Sequence, residues 1–210
     1  MEHALARAEM IDTQLRARGI RDEAVLGALA HVPRHRFIPM ENQDLAYRDG
    51  PVGIGEGQTI SQPYVVALMT EALALRPGMS VLEIGTGCGY QTAVLAALEA
   101  SVHSIEIRPR LSARASDTLS SLGVSGVTLH QGDGHAGLSE HAPFDRIIVT
   151  AAPSKVPDSL TEQLKPGGRM LIPVGPRARQ KLLLITRKGG QLSTTELLDV
   201  LFVPMTRLDS

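Results

Sequence analysis

Apolar positions Ala4, Ala8, Ile11 and Leu15 recur at helical spacing and Gly19 follows them, which predicts a first helix over about residues 3–18 with glycine as its stop. Asp22 and Glu23 suit the positive start of a second helix that carries Val25, Leu26 and Leu29 and must end near Val32, ahead of Pro33. Residues 33–57 are rich in Pro and Gly without clean periodicity and read as an irregular, surface-wrapping connection. Two helices therefore precede any strand. Pro63 has no N–H to lose in the first turn of a helix, and Val65, Val66, Met69, Ala72 and Leu73 continue on one broad face, predicting a third helix over about 63–75.

Beyond Arg76-Pro77-Gly78 short apolar runs alternate with helical segments: Val81 to Ile84, 90–99, Val102 to Ile105, 109–121, Val127 to Leu129 and Ile147 to Val149. That alternation predicts a parallel sheet with crossover helices. Met170 to Val174 gives a further strand after Lys165-Pro166-Gly167-Gly168, and Leu182 to Ile185 with Leu197 to Phe202 read as late strands joined at Gly189-Gly190. The expected fold is α/β: a doubly wound, mostly parallel sheet with an N-terminal helical extension and late antiparallel strands. Residues 1–76 form the N-terminal helical and loop region, residues 77–210 the core, and together they make one compact domain.

Composition narrows the classes. With 210 residues the chain can bury one substantial core, and a formal charge of -1 argues against a nucleic-acid binder. Arg34-His35-Arg36 is too short for a polyanion groove and reads as solvated loop surface. Cys88 is the sole cysteine, which excludes an internal disulfide and makes the cytoplasm the default address. The first residues carry charge where a signal peptide needs an apolar stretch, and even the run from Val65 to Leu75 is interrupted by Glu71, far short of the roughly 18 apolar residues of a membrane span. His31 and His35 are four apart, but Pro33 between them breaks the helix that would align them, so no metal site is expected there.

Candidate chemistry begins at Val81-Leu82-Glu83-Ile84-Gly85-Thr86-Gly87-Cys88-Gly89-Tyr90, a buried-strand run leading into glycines at 85, 87 and 89 that let the backbone turn sharply beside a ligand. A dinucleotide fingerprint would need glycine at position 90, where Tyr90 stands. Glu106 ends the next apolar strand, about 20 residues on, where a carboxylate can accept hydrogen bonds from both hydroxyls of a ribose. Gly132-Asp133-Gly134 follows the strand after that, so Asp133 or its neighbouring amides could meet an adenine edge. Elements at successive strand ends share one crevice in an open α/β sheet. Gly53, Gly55 and Gly57 lack the lysine or acidic partner of a phosphate cradle and read as an open loop that leaves room for an extended peptide.

The Glu-x-Gly-x-Gly-x-Gly at 83–89, the acidic end of the second strand, Gly-Asp-Gly at 132–134 and Leu-Lys-Pro-Gly-Gly at 164–168 together resemble the class I S-adenosylmethionine-dependent methyltransferases, whose fold is Rossmann-like. More narrowly, Gly57-Gln58-Thr59-Ile60-Ser61-Gln62-Pro63, Val81 to Gln91, and Phe144 to Pro153 look like the protein-L-isoaspartate O-methyltransferases, with Val32-Pro33-Arg34 and Phe37 early and Phe202-Val203-Pro204 late extending the likeness nearly end to end. This resemblance implies transfer of a methyl group from S-adenosylmethionine to the free α-carboxylate of L-isoaspartyl residues in damaged proteins and peptides; with the composition above, the expectation is a cytoplasmic, monomeric repair enzyme with no nucleic-acid or membrane partner. By the same resemblance Ser61 is the active-site residue, while Thr59, Ile60, Gly85, Gly87, Glu106, Asp133, Gly134 and Thr206 hold the cofactor and no metal takes part. Cys88 stands where a serine is common and His135 where bacterial members often carry a large aromatic. Locally, Ser61 has two readings: a cap for the helix at Pro63, or an anion-binding residue at its start. The alternative substrate is a small-molecule carboxylate.

Overall fold

The computed structural model describes residues 2–207. The first predicted helix runs as α1 (Glu2–Glu9), a π-helical stretch over Met10–Leu15 and a 3-10 turn over Arg16–Arg18, ending at Gly19, whose φ of 97° only glycine adopts without penalty. In α2 (Glu23–His31) the Asp22 carboxylate accepts from the N–H groups of Ala24 and Val25, as an N-cap should. The segment over 33–57 is irregular up to residue 51 but contains 3-10 turns over Arg34–Phe37 and Met40–Leu45. It closes with a strand that the sequence reading took for open loop.

That strand, β1 (Val52–Gly55), pairs antiparallel with β2 (Gln58–Ile60). The two linking residues, Glu56 and Gly57, both take positive φ (53° and 69°), the conformation of a hairpin turn whose twist matches its strands. Val52, Ile54 and Ile60 face inward and the glycines outward, so an apolar alternation of only two residues was the available signal. Next comes α3 (Pro63–Leu73), followed by β3 (Ser80–Ile84), α4 (Tyr90–Ala97), β4 (Ser101–Glu106), α5 (Pro109–Ser121) and β5 (Val127–Gln131). The remaining elements are β6 (Phe144–Val149), α6 (Asp158–Glu162), β7 (Leu164–Val174), β8 (Gln180–Lys188) and β9 (Gln191–Val200).

Seven strands form one sheet in the order β5-β4-β3-β6-β7-β8-β9. Those from β5 to β7 are parallel, and β8 and β9 are antiparallel additions at the far edge, as the late-strand pattern predicts. Period-two alternation divides β3 between two cores. Val81 faces Met69 and Leu73 of α3 with Leu95, Ile148, Leu171 and Leu182, while Leu82 and Ile84 face Ile105, Ile147, Val149 and Met170. A third cluster joins Met10, Leu15, Leu26, Leu29 and Phe37 to Tyr90, Ala93 and Val94 of α4 and Leu111 and Leu119 of α5, so the N-terminal helices cover the core rather than standing apart from it. Among the described residues no helix is long and apolar enough to cross a membrane.

Two polar side chains tie parts of the N-terminal region to one another, and one of them also reaches α4. Glu71, the charge that interrupts the apolar run of α3, accepts from the backbone N–H groups of Arg21 (2.7 Å) and Asp22 (2.8 Å) and so fixes the start of α2. Arg34 overturns its reading as solvated surface: it is wholly buried. The 3-10 turn puts residues 34 and 37 on one side, and that side faces inward with Phe37. Its Nε donates to Ala46 O (2.7 Å), its Nη2 to Ser61 O (2.8 Å), and its cation lies 5.0 Å from the centre of the Tyr90 ring. Replacing Glu71 with Ala leaves two N–H groups without their acceptor, and equilibrium urea unfolding should show a loss of about 1–2 kcal/mol.

Candidate active site

The strand order reverses at β3, whose neighbours β4 and β6 send their following segments to opposite sides. A crevice opens at such a switch point beyond the carboxyl ends of the strands. Here it is a cavity lined by Thr59, Ile60 and Ser61 from the hairpin end, Gly85 to Cys88 after β3, Glu106 and Arg108 after β4, Gly132 and Gly134 after β5, Thr150 and Ala151 after β6, and Val203 to Thr206.

Each wall has a local cause. Gly85 has φ 94°, and a Cβ there would lie 2.5 Å from Thr150 Oγ1, which itself donates to the carbonyl of Gly85 (2.6 Å). Glycine is therefore required where β3 and β6 part. Glu106, only 5% exposed, accepts from the Gly87 N–H at Oε2 (2.8 Å) and from the Arg108 N–H at Oε1 (3.0 Å), tying the glycine loop to the end of β4. A carboxylate has about four lone-pair sites, so two remain for a diol. The C-terminal segment is held over the cavity by Ala152, which exchanges backbone bonds with Val203 (2.8 Å) and Met205 (2.9 Å), and by Gln180, which pairs both ways with Phe202. That is how Thr206, remote in sequence, comes to line the site.

Under the loop lies a carboxyl group wholly removed from solvent. Glu83 Oε2 accepts from Thr92 Oγ1 of α4 (2.5 Å) and Ser104 Oγ of β4 (2.6 Å), and Ser104 in turn pairs with Thr86 Oγ1 of the loop (2.6 Å). Among the described residues Glu83 Oε1 has no hydrogen-bond partner. Burial pushes this group up to about 7 against the two hydroxyl bonds that favour its charged form, with the Glu106 charge adding to the rise.

Of the residues singled out from sequence, Ser61, Thr59, Ile60, Gly85, Gly87, Glu106, Gly134 and Thr206 all line the one cavity. Asp133 does not; its flanking glycines do. Its carboxylate turns back on its own 3-10 turn, accepting from the His135 N–H (2.9 Å) and lying 2.8 Å from His135 Nδ1, and it faces a neighbouring concavity with His135. Burial alone would raise this carboxyl, but the His135 hydrogen bonds and charge, together with the Arg207 charge, hold it below the usual range. Ser61 does not cap α3: the N-cap position is Gln62 and no side chain caps the helix, while the Ser61 carbonyl is held by Arg34. Sequence reasoning missed Thr86, Thr150 and Arg34 as parts of the site. The signal for the first two was their position at the ends of apolar strand runs; for Arg34 it was its place in the Val32-Pro33-Arg34 motif of the family resemblance, which local composition outweighed.

The doubly wound sheet, a glycine loop in place of a dinucleotide fingerprint, and an acidic end to the adjacent strand define the fold and cofactor side of a class I S-adenosylmethionine-dependent methyltransferase. The model of the protein-L-isoaspartate(D-aspartate) O-methyltransferase family matches residues 6–210, and the chain belongs to that family. It is 54% identical to a protein-L-isoaspartate O-methyltransferase of Methylorubrum populi over 203 residues, 96% of this chain and 95% of the other. Its structure superposes with a TM-score of 0.85 on a protein-L-isoaspartate O-methyltransferase at 31% identity, covering 94% of this chain and spanning 65% of that longer one. A TM-score of 0.85 is also reached at 27% identity with a Plasmodium falciparum structure described as a protein-L-isoaspartate O-methyltransferase in complex with S-adenosyl-L-homocysteine, covering 96% and 98% of the two chains.

The cavity residues fit that cofactor: a buried acceptor pair at Glu106 for a ribose diol, side-chain-free backbone at Gly85, Gly87, Gly132 and Gly134, and apolar flanks at Ile84, Ile105, Ile107 and Met205 for a heteroaromatic ring. The Glu83 proton has a measurable consequence. The folded chain takes it up near pH 7 and the unfolded chain near 4.5, so the folded state binds more protons between those values and stability falls as pH rises through that window. Unfolding midpoints of Glu83→Gln, measured across the same window, should lose this slope and approach a constant offset from the parent above pH 7.

Proposed function

We propose that the chain transfers a methyl group from S-adenosylmethionine to the free α-carboxylate of L-isoaspartyl residues in damaged proteins and peptides, the first step in returning them to aspartate. The observation that carries the acceptor assignment is the uncapped start of α3 in the same cavity as the glycine loop. Ser61 stands there with its carbonyl tied to Arg34 and its hydroxyl not used to cap the helix. A helix start is favourable ground for a carboxylate, since its first N–H groups and its dipole both favour negative charge.

S-adenosylmethionine supplies an electrophilic methyl group on a positively charged sulfur. The chain's part is to orient the acceptor and keep water out. An α-carboxylate has a reference pKa of about 3.3–3.7 and is already ionised at neutral pH, so no residue has to remove a proton from it. The lining agrees with that requirement: it contains no histidine, and burial pushes the Cys88 thiol up to about 11 and the Tyr90 phenol up to about 12, which keeps both protonated and unfit as bases. Ser61 orients the acceptor carboxylate and forms no covalent intermediate. Glu106, Gly85, Gly87, Gly134, Thr59, Ile60 and Thr206 hold the cofactor, and for Gly132-Asp133-Gly134 it is the backbone rather than the Asp133 carboxylate that does so. Donor and acceptor sides lie in one chain, which supports action as a monomer; the near-neutral charge argues against a nucleic-acid partner, and one buried cysteine suits the cytoplasm.

Labelled methyl donor should be offered to purified protein with isoaspartyl and aspartyl versions of one peptide. Labelling of the isoaspartyl peptide alone is expected; equal labelling of both, or of neither, would overturn the substrate assignment. Ser61→Ala should lower kcat/KM on the order of 100-fold while S-adenosylhomocysteine binds unchanged by calorimetry. Glu106→Ala should do the reverse to the cofactor side, weakening S-adenosylhomocysteine about 10-fold or more, because the acceptor of both ribose bonds and the anchor of Gly87 are lost together.

A further inference from the structure

Away from the cavity three histidines converge. One ring nitrogen from each of His103, His130 and His141 lies within 4.8 Å of the other two. His103 and His130 rise from one face of the neighbouring parallel strands β4 and β5, because Ile105 pairs with His130 and His103 is two residues before Ile105. Their nearest nitrogens, His103 Nδ1 and His130 Nε2, are 3.1 Å apart. His141 comes from a separate element, the 3-10 turn over Ser139–His141, and stacks on His103 with ring centres 4.3 Å apart. The buried Phe144 ring stands edge-on to His103 at 6.0 Å. None of the three lines the active-site cavity, and methyl transfer uses none of them.

We propose that these imidazoles form a binding site for a divalent transition-metal cation, zinc(II) in particular. Imidazole nitrogen is a preferred zinc ligand, and a tetrahedral ion with Zn–N bonds of about 2.0–2.1 Å sets its ligand nitrogens roughly 3.3 Å apart. The His103–His130 pair already stands near that separation. His141, with 41% of its side chain exposed on a surface turn, has the freedom to rotate its nitrogen inward. A hydrogen bond between two imidazoles would account for His103 and His130 alone; the third ring, delivered from a different part of the chain to the same point, is what a metal explains. Water completes the coordination. The bound ion clips β4 and β5 to the 139–141 turn.

Zinc sulfate should be titrated calorimetrically into untagged chain previously stripped with EDTA. One zinc per chain is expected, with affinity at least about 100-fold lower in both His141→Ala and His130→Ala, since each removes a ligand. His3→Ala, which removes an imidazole stacked elsewhere on His35, should bind as the parent does. Cobalt(II) gives a readout independent of variant folding: the parent chain should develop the visible bands of a tetrahedral nitrogen-rich site, displaced by zinc. Absence of those bands, or equal zinc affinity in the parent and His141→Ala, would overturn the assignment.

Discussion

The buried carboxyl of Glu83 is the constraint around which the cofactor side is built. It lies in the central strand, and its hydroxyl partners come from α4 directly and from β4, with Thr86 of the glycine loop joined through Ser104. A buried carboxyl needs such partners, because without them its desolvation is uncompensated. Meeting that need fixes the helix, the adjacent strand and the loop relative to one another. The loop then has one course, and Glu106 fastens its other side through Gly87. The fold thus spends one buried titratable group on holding open a stretch of backbone that carries no side chains toward the ligand.

The acceptor side depends on a second buried charge. Arg34 reaches Ala46 and Ser61 from inside the N-terminal region, with the Tyr90 ring beside it, so one guanidinium links the irregular segment, the start of α3 and the start of α4. Among the described residues its Nη1 has no hydrogen-bond acceptor in place, and burial holds its pKa below the ordinary value. Guanidinium remains charged nonetheless, because its reference pKa is so high. Donor and acceptor sides therefore meet at Tyr90, the residue whose place in the sequence separates this loop from a dinucleotide fingerprint.

Much of the fold was legible because it follows from short-range pattern. The bounds of α5, the Gly19 stop and the Asp22 cap reproduce what spacing and capping chemistry require, and the antiparallel ending follows from two apolar runs across a Gly-Gly turn. The misreadings have specific causes. The β1–β2 hairpin presents only two alternating apolar residues and a turn whose first linking residue is Glu56 rather than a glycine. Arg34 looked like a solvated residue because its burial depends on which side of a 3-10 turn meets α4. Asp133 is not among them: its oxygens bond His135 two residues away, while Gly132 and Gly134 beside it line the cavity, in keeping with the backbone alternative that its strand-end position left open.

Sequence by itself determined the strand and helix succession, the glycines at the β3 turn and the acidic residue ending β4, since each is set by backbone conformation or by chemistry within a few residues. It also determined the family, through motifs spread along the whole chain. Tertiary structure alone decided the route by which Thr206, expected at the site from resemblance, reaches a cavity begun at Gly85, that the Ser61 carbonyl is held while its hydroxyl is left uncommitted to a cap, and that three distant histidines share one point. Those outcomes rest on how strands order themselves in a sheet and on which side chains lose water together, and neither is a property of any local stretch of chain.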